Sequence, residues 1–401
     1  IIGGLMLCNS IPEEILTDHP QRFRGMWVES ANPAHSLADG PRMREALAAL
    51  DLLVVVDVAM TETARLAHYV PPVASQLEKA EATFFNFEFP HNVFHLRRAL
   101  LPPPAGLFSE AELHARLLET AGVLPLEVEQ PLRSAWRGGR PQRRRGIAAL
   151  AAATPQALAL LPVLLYRAIG DLLPAGLAEG AGLWGVCQLA VKHQREAIRR
   201  AGIGTAAKDG AELADALFDA ILAAPSGVVF SVDDWDESLR RVATPNGRVQ
   251  LALPEFYDEI GALAAEPAPQ PPAEFPFVLS AGERRSYTAN TIFRNPDWRR
   301  KDRSGALALN PADAARLGLV DGARARLVTQ RGQTEVTVAC SDRMSPGHVS
   351  LPNGQGIDYP DAAGHAVLTG TAPNELTRLQ DRDAFAGTPW HKWVPARIEA
   401  L

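Results

Sequence analysis

From Arg24 to about Ala74 short apolar runs alternate with stretches of helical character. GMWVES, from Gly25, reads as a strand broken by Asn32-Pro33, and PRMREALAAL, from Pro41, sets a helix-start proline before good helix formers. LLVVVD, ending at Asp57, is apolar at nearly every position. A strand of that kind is buried on both faces, so the pattern predicts a parallel sheet covered by helices. TETARLAHYVPPVA then offers Thr61 as the cap of a short helix, followed by another strand-like run. The predicted fold class is α/β with a doubly wound parallel sheet.

Residues 81–104 lose this rhythm and read as an ordered connection packed over the sheet, stopped by LPPP from Leu101. Helical patterning runs from Ser109 to about Ala224, with an exposed bend expected near residues 137–146 and a buried helical hairpin over Gly146–Leu165. EPAPQPPAEFP, from Glu266, marks a joint. Beyond it come short β-runs, FPFVLS, ALALN, ARARLVTQ, TEVTVAC and GHVSLP, with a hairpin at Arg331-Gly332 and a capped helix from Asn310 to Leu319. A small β-barrel closes such strands economically. The division expected is a partial α/β domain over 1–104, a mainly helical extension over 105–265, a Pro-rich linker over 266–276 and a barrel over 277–401.

The 401 residues carry 40 Lys and Arg against 46 Asp and Glu, a net charge of −6. That balance argues against a chain built around nucleic-acid phosphates, and the basic run from Arg137 is local. Cys8, Cys187 and Cys340 lie too far apart for a zinc ribbon or an iron–sulfur run, and reduced thiols suit a cytoplasmic setting, a translocated complex being the alternative. No window is apolar enough for a membrane span. The opening at Ile1 reads as the interior of a domain, so a portion of a longer protein is expected.

In open α/β sheets ligands sit beyond the carboxyl ends of the strands. Asn32 and Pro33 follow the first strand, where backbone amides suit phosphate, and Asp57 ends the second, where a carboxylate suits ribose hydroxyls or a guanine edge. The plainer alternative is a turn and a helix cap, since no GxGxxG accompanies them. His91 and His95, four apart, suit one helix face as metal ligands, but nothing is spaced to complete a set. Arg284, Ser286, Tyr287 and Thr288 form a polar patch after the first barrel strand, suited to a phosphorylated or polar heterocyclic ligand or simply an exposed loop. Asn374, His391 and Lys392 combine an amide, an imidazole and an ammonium near the end of the chain.

Taken in order, NPA at Asn32, LDLLVVVDVAMTETARLAHYVPPVA, EKAEATFFNFE, FVLSAGERRSYTANTIFR, ALALNPADAARLGLVDGARARLVTQRGQTEVTVACSD, SPGHVSLP, NELT and TPWHKWVPARIE resemble the C-terminal portion of the molybdopterin oxidoreductases, the molybdenum or tungsten enzymes that include formate dehydrogenases. The resemblance covers more than half of the chain. It implies a double-psi β-barrel after the α/β domain, the two holding a bis(molybdopterin guanine dinucleotide) cofactor with Mo or W. Asn32 and Pro33 then fall near the phosphates, Asp57 on the nucleoside, and Thr61 and Thr63 on the turn after it. Arg284, Ser286, Tyr287 and Thr288 fall on the loop around the pterin, and Asn374, His391 and Lys392 on late polar contacts.

Two departures qualify this. Relatives commonly carry ADVVLP where this chain has AHYVPP, so His68 replaces an acid expected at guanine and Pro71 an apolar residue. The family's iron–sulfur cysteines and its Cys, selenocysteine or Ser metal ligand have no counterpart, so no metal ligand is expected in this chain and its catalytic residues are left unassigned. The 4Fe-4S cluster is expected in an N-terminal half or companion subunit, with an electron-transfer partner and a small-molecule substrate. The resemblance thus implies the cofactor-binding portion of a formate-dehydrogenase-like oxidoreductase, inactive by itself. Alternatives are a non-catalytic scaffold binding a guanine nucleotide or pterin, and one subunit of a split enzyme.

Overall fold

The computed structural model describes residues 5–83, 88–153, 155–283, 294–298 and 305–401. They form two compact units: residues 1–71 with 266–401, and residues 72–265.

In the first unit, helix α1 (Ile11–Leu16) precedes strand β1 (Gly25–Glu29), helices α2 (Pro33–Ser36) and α3 (Gly40–Ala48), and strand β2 (Leu52–Val56). β1 and β2 pair in parallel from Gly25↔Leu52 to Glu29↔Val56. Leu53, Val54, Val55 and Val56 are all buried, as a run without alternation requires when both faces are covered. Met43, Ala46 and Leu47 of α3 fall on one helical stripe and pack into the same core. Among the described residues this sheet has two strands, extended by a parallel bridge from Val54 to Tyr69. Thr61 Oγ1 accepts from the Ala64 amide at 3.2 Å, but the residue that precedes the short 3-10 helix Ala64–Leu66 as its N-cap is Thr63, not the expected Thr61.

The second unit contains strands β3 (Glu81–Thr83) and β4 (His91–Arg97), helices α4 (Glu110–Thr120), α5 (Glu129–Arg137), α6 (Arg140–Ala153), α7 (Leu161–Ile169), α8 (Leu183–Arg200) and α9 (Gly210–Ala223), strand β5 (Val228–Val232), and helices α10 (Trp235–Arg240) and α11 (Tyr257–Leu263). Two readings are corrected here. The 81–104 stretch holds β3 and β4, which join β5 in a three-stranded antiparallel sheet. The exposed bend narrows to Gly138-Gly139, and the basic run after it is helical α6. Its arginines are neutralised by other helices: Arg140 pairs with Asp219, Arg144 with Asp215, and the Arg143 guanidinium lies 4.0 Å over the Trp136 ring. Trp136, Trp184 and Phe218 centre the core.

The chain then returns to the first unit with β6 (Phe277–Glu283), β7 (Leu307–Leu309), α12 (Pro311–Arg316), β8 (Arg324–Thr329), β9 (Gln333–Cys340), β10 (His348–Pro352), the hairpin β11 (Ile357–Pro360) and β12 (Ala366–Thr369), and β13 (Val394–Ala400). Six of these strands close a barrel in the order β10-β6-β13-β8-β9-β7, with β10–β6 and β7–β9 parallel and the other pairs antiparallel. Alternation selects the inside, as in β13, where Val394, Ala396 and Ile398 are buried and Pro395 and Arg397 are not. The hairpin expected at Arg331-Gly332 joins β8 to β9, and Asn310 caps α12 through its Oδ1.

Candidate functional site

The site builds from the carboxyl ends of β1 and β2. β1 is followed by Ser30, which adopts φ +51° while its amide still bonds the Val56 carbonyl at 3.0 Å. A non-glycine residue in the left-handed region is costly and turns the chain sharply into the Asn32-Pro33 corner. Asn32 is buried and fully engaged. Its Oδ1 accepts from the Thr63 amide at 3.1 Å and from Thr63 Oγ1 at 2.8 Å, its Nδ2 donates to Glu62 at 2.6 Å, and Thr63 Oγ1 accepts from the Ala34 amide at 3.1 Å. Asn32, Pro33, Thr61 and Thr63 therefore stand together, the Asn32 side chain fastening the turn after β2 to the turn after β1.

Asp57 ends β2 beside them, its Oδ1 accepting from the Ala59 amide at 3.2 Å. Partial burial raises its pKa above the ordinary carboxylate value, against the pull of that amide and of Arg294. His68 lies off the strand, on the segment after the 3-10 turn. Its Nδ1 accepts from the Leu53 amide at 2.9 Å, so it sits at the amino end of β2, away from Asp57.

Immediately after Asp57, Ala59 and Met60 line an open cavity of ≈ 290 Å³, completed by Arg65, Arg294, Asp358, Tyr359, Pro360, Gly364 and Ala366. Its charged wall is Arg65, Arg294 and Asp358, and Glu62 behind them completes a relay of four side chains. Arg294 grips Glu62 through Nη1 at 3.0 Å and Nη2 at 2.9 Å and reaches Asp358 Oδ1 at 3.2 Å, while Arg65 holds Asp358 through both of its nitrogens at 2.8 and 2.9 Å. Burial pushes the Glu62 pKa up, but the hydrogen bonds from Arg294 and Asn32 outweigh it and hold the carboxyl below its ordinary value. Arg65 does the same for Asp358. These four residues were not singled out from the sequence. Glu62 and Arg65 sit inside TETAR and Arg294 ends TIFR, but the hairpin carrying Asp358 was unrecognised, although the alternation in IDYP and AVLT around Asp361 and Gly364 is a hairpin signal.

His35, also missed, is buried on α2 and has no side-chain hydrogen bond among the described residues. Burial lowers its pKa, keeping the ring neutral among Glu62, Arg294, Glu375 and Arg44. Asn374 donates from Nδ2 to the His35 carbonyl at 2.9 Å, which ties it to the same corner. His391 and Lys392 lie apart from these, at the end of β6. The His391 carbonyl accepts from the Ala281 amide at 2.7 Å, and Lys392 Nζ reaches the Ala281 carbonyl at 3.4 Å. Burial and the adjacent Lys392 lower the His391 pKa. Arg284, Ser286, Tyr287 and Thr288 lie outside the described residues.

His91 and His95 fall on a strand rather than a helix, and His95 Nε2 is 3.0 Å from the Pro225 carbonyl oxygen. Among the described residues no group of three or more His, Cys, Asp or Glu is placed to hold a metal. No helix among them is long and apolar enough to cross a membrane.

Residues 4–106 match the model of the family described as molybdopterin oxidoreductase, and residues 277–395 that of the molydopterin dinucleotide binding domain. The probable oxidoreductase YoaE of Bacillus subtilis (strain 168) is 22% identical over 364 residues, covering 90% of this chain and 43% of that protein. The F420-dependent formate dehydrogenase subunit alpha of Methanocaldococcus jannaschii is 37% identical over 98 residues, 24% of this chain and 14% of that one. Among solved structures, acetylene hydratase from Pelobacter acetylenicus superposes with a TM-score of 0.63 at 16% identity over 99% of this chain and 47% of that one, a likeness of fold. The chain thus spans less than half the length of each of these proteins. With both family segments present in one chain and both contributing to the wall of one cavity, this protein belongs to the molybdopterin oxidoreductase family.

Proposed function

We propose that this chain is the cofactor-binding portion of a molybdopterin-dependent oxidoreductase of formate-dehydrogenase-like type, holding bis(molybdopterin guanine dinucleotide) with Mo or W. The observation that carries the reading is the origin of the cavity wall: Ala59, Met60 and Arg65 come from one family segment and Arg294, Asp358 and Tyr359 from the other. The donor set fits a guanine dinucleotide. Asp57 offers a carboxylate with one oxygen free of the Ala59 amide, suited to ribose hydroxyls or the guanine N1 and N2 edge, next to a cavity whose two guanidiniums are paired with Glu62 and Asp358.

The bound group supplies two-electron redox chemistry, and this portion of the protein supplies binding and orientation. Asp57, whose partial burial raises its pKa, would accept hydrogen bonds from the nucleoside through its carboxylate. The Asn32–Thr63 bonds hold the adjoining backbone still, and His391 with Lys392 brings a neutral imidazole and a cation to the end of β6. The parallel β10–β6 and β7–β9 pairs inside a closed barrel favour the double-psi form. The metal ligand and the 4Fe-4S cluster would then belong to an N-terminal part or companion subunit, as would the contact with an electron-transfer partner. The 37% identity to a formate dehydrogenase subunit alpha supports the formate-dehydrogenase-like type.

The test is the molybdenum or tungsten content of the natural polypeptide together with the GMP released from it by acid hydrolysis. Two GMP per metal are expected. Folded protein with neither metal nor GMP would leave a non-catalytic scaffold as the better reading.

A further inference from the structure

Three residues of the relay line the cavity and the fourth, Glu62, holds Arg294 from behind. Glu62 and Arg65 stand on the turn after β2, Asp358 stands on the β11–β12 hairpin, and Arg294 approaches from the barrel segment. Signs alternate in space along the series Glu62, Arg294, Asp358, Arg65. Glu62 Oε2 also accepts from Asn32, so the same chain of bonds runs on through Asn32 to Thr63 and the Ala34 amide. Arg294 is thereby one of the residues that join the barrel segment to the turn after β2 and, through Glu62 and Asn32, to the turn after β1. The Arg294 and Glu62 side chains are only 20% and 19% exposed, so water screens the pair weakly.

We propose that Arg294 and Glu62 are positioning residues for the nucleotide end of the cofactor: their forked ion pair sets the spacing between the Ala59-Met60 backbone and the Asp358 hairpin across the cavity, and so governs how long the nucleotide is retained. The proposal rests on the cofactor reading above. Neither side chain need leave its partner, because both Arg294 nitrogens are spent on carboxylates; what they fix is the position of Asp57's turn relative to the opposite wall.

The experiment uses the holoprotein, with GMP retained per chain followed over time after gel filtration and thermal unfolding measured on the same samples. Arg294→Gln and Glu62→Gln are each expected to release GMP about tenfold faster than wild type at an unfolding temperature within a few degrees of it. The double variant is expected to be no faster than either single, since one pair is being broken. Arg294→Lys, which keeps the charge and loses the fork, should be intermediate; a merely structural role would instead track the unfolding temperature. Arg65→Gln breaks the opposite corner and serves where an Arg294 variant fails to fold. Wild-type retention in folded Arg294→Gln and Arg65→Gln overturns the proposal. Absence of GMP from wild type would instead remove the cofactor reading itself, so the two failures are distinguishable.

Discussion

Arg294 and Glu62, 232 residues apart in sequence, meet in a two-pronged ion pair of 3.0 and 2.9 Å that fastens the barrel segment to the turn after β2. The pair has a pH signature. The folded pKa of Glu62 is depressed below its unfolded value, so its contribution to stability is complete above the unfolded value of 4.5 and is lost as pH falls through the folded one. Wild-type protein should therefore lose stability to denaturant below about pH 4.5, and Glu62→Gln should lose less of it over the same interval. Parallel slopes in the two proteins would deny Glu62 that role.

His35 gives a slope in a different window. Its folded pKa is lowered by burial, so between that value and the unfolded 6.5 the unfolded chain binds more protons and stability falls as pH falls. Substituting His35→Asn should flatten the change in unfolding free energy between pH 7.5 and pH 5.5, measured by urea denaturation. An unchanged slope would place the ring in a more polar environment than its burial indicates.

Asp57→Ala removes the carboxylate that ends β2 and should weaken cofactor retention by about 1–3 kcal/mol, the cost of leaving a polar partner unsatisfied. The surrounding turn keeps its own supports in Thr61, Thr63 and Asn32, so the fold should survive the substitution. GMP released per chain by acid hydrolysis reads the effect. Full occupancy in the variant would remove Asp57 from the site.

What the sequence makes legible follows from local physics. β2 shows as an unbroken apolar run because both of its faces are covered, and β13 shows as alternation because one face lines the barrel. Asn310 shows as a cap because capping is a bond within a few residues. The relay does not show, because each of its bonds joins charges separated by tens to hundreds of residues, and Glu62 or Arg65 alone looks like any exposed helix charge. The basic run from Arg137 misleads for the same reason: the acids that neutralise it, Asp215 and Asp219, lie on α9. His68 stands near Asp57 in sequence, yet its bond to the Leu53 amide holds it at the other end of the strand.

In the second unit, Asp215 is buried and accepts from Trp184 Nε1 at 2.9 Å and from Arg144 Nη2 at 3.1 Å. Asp215→Ala strands both donors and should destabilise this unit by about 3 kcal/mol, near the lower end for a broken buried pair because Arg144 is partly exposed. Trp184→Phe, which keeps most of the ring and loses one bond, should cost about 1 kcal/mol. Equal effects in chemical denaturation would mean that packing, not the carboxylate, dominates there.

Two glycines on either side of β11 separate backbone strain from steric closure. Gly356 and Gly364 have φ of +73° and +84°, so an alanine at either adopts an unfavourable backbone, at about 1–2 kcal/mol. Around Gly364 an added Cβ would meet no atom within 4 Å, whereas at Gly356 it would lie 2.1 Å from the Ala372 amide nitrogen. That nitrogen belongs to backbone and cannot swing aside, so Gly356→Ala must push β11 from its place and should cost about 1–3 kcal/mol more than Gly364→Ala. Because β11 carries Asp358, the same shift would pull at Arg65 and Arg294 and hasten release of GMP. A Gly356→Ala protein as stable and as retentive as Gly364→Ala would show that the hairpin can move without disturbing the relay.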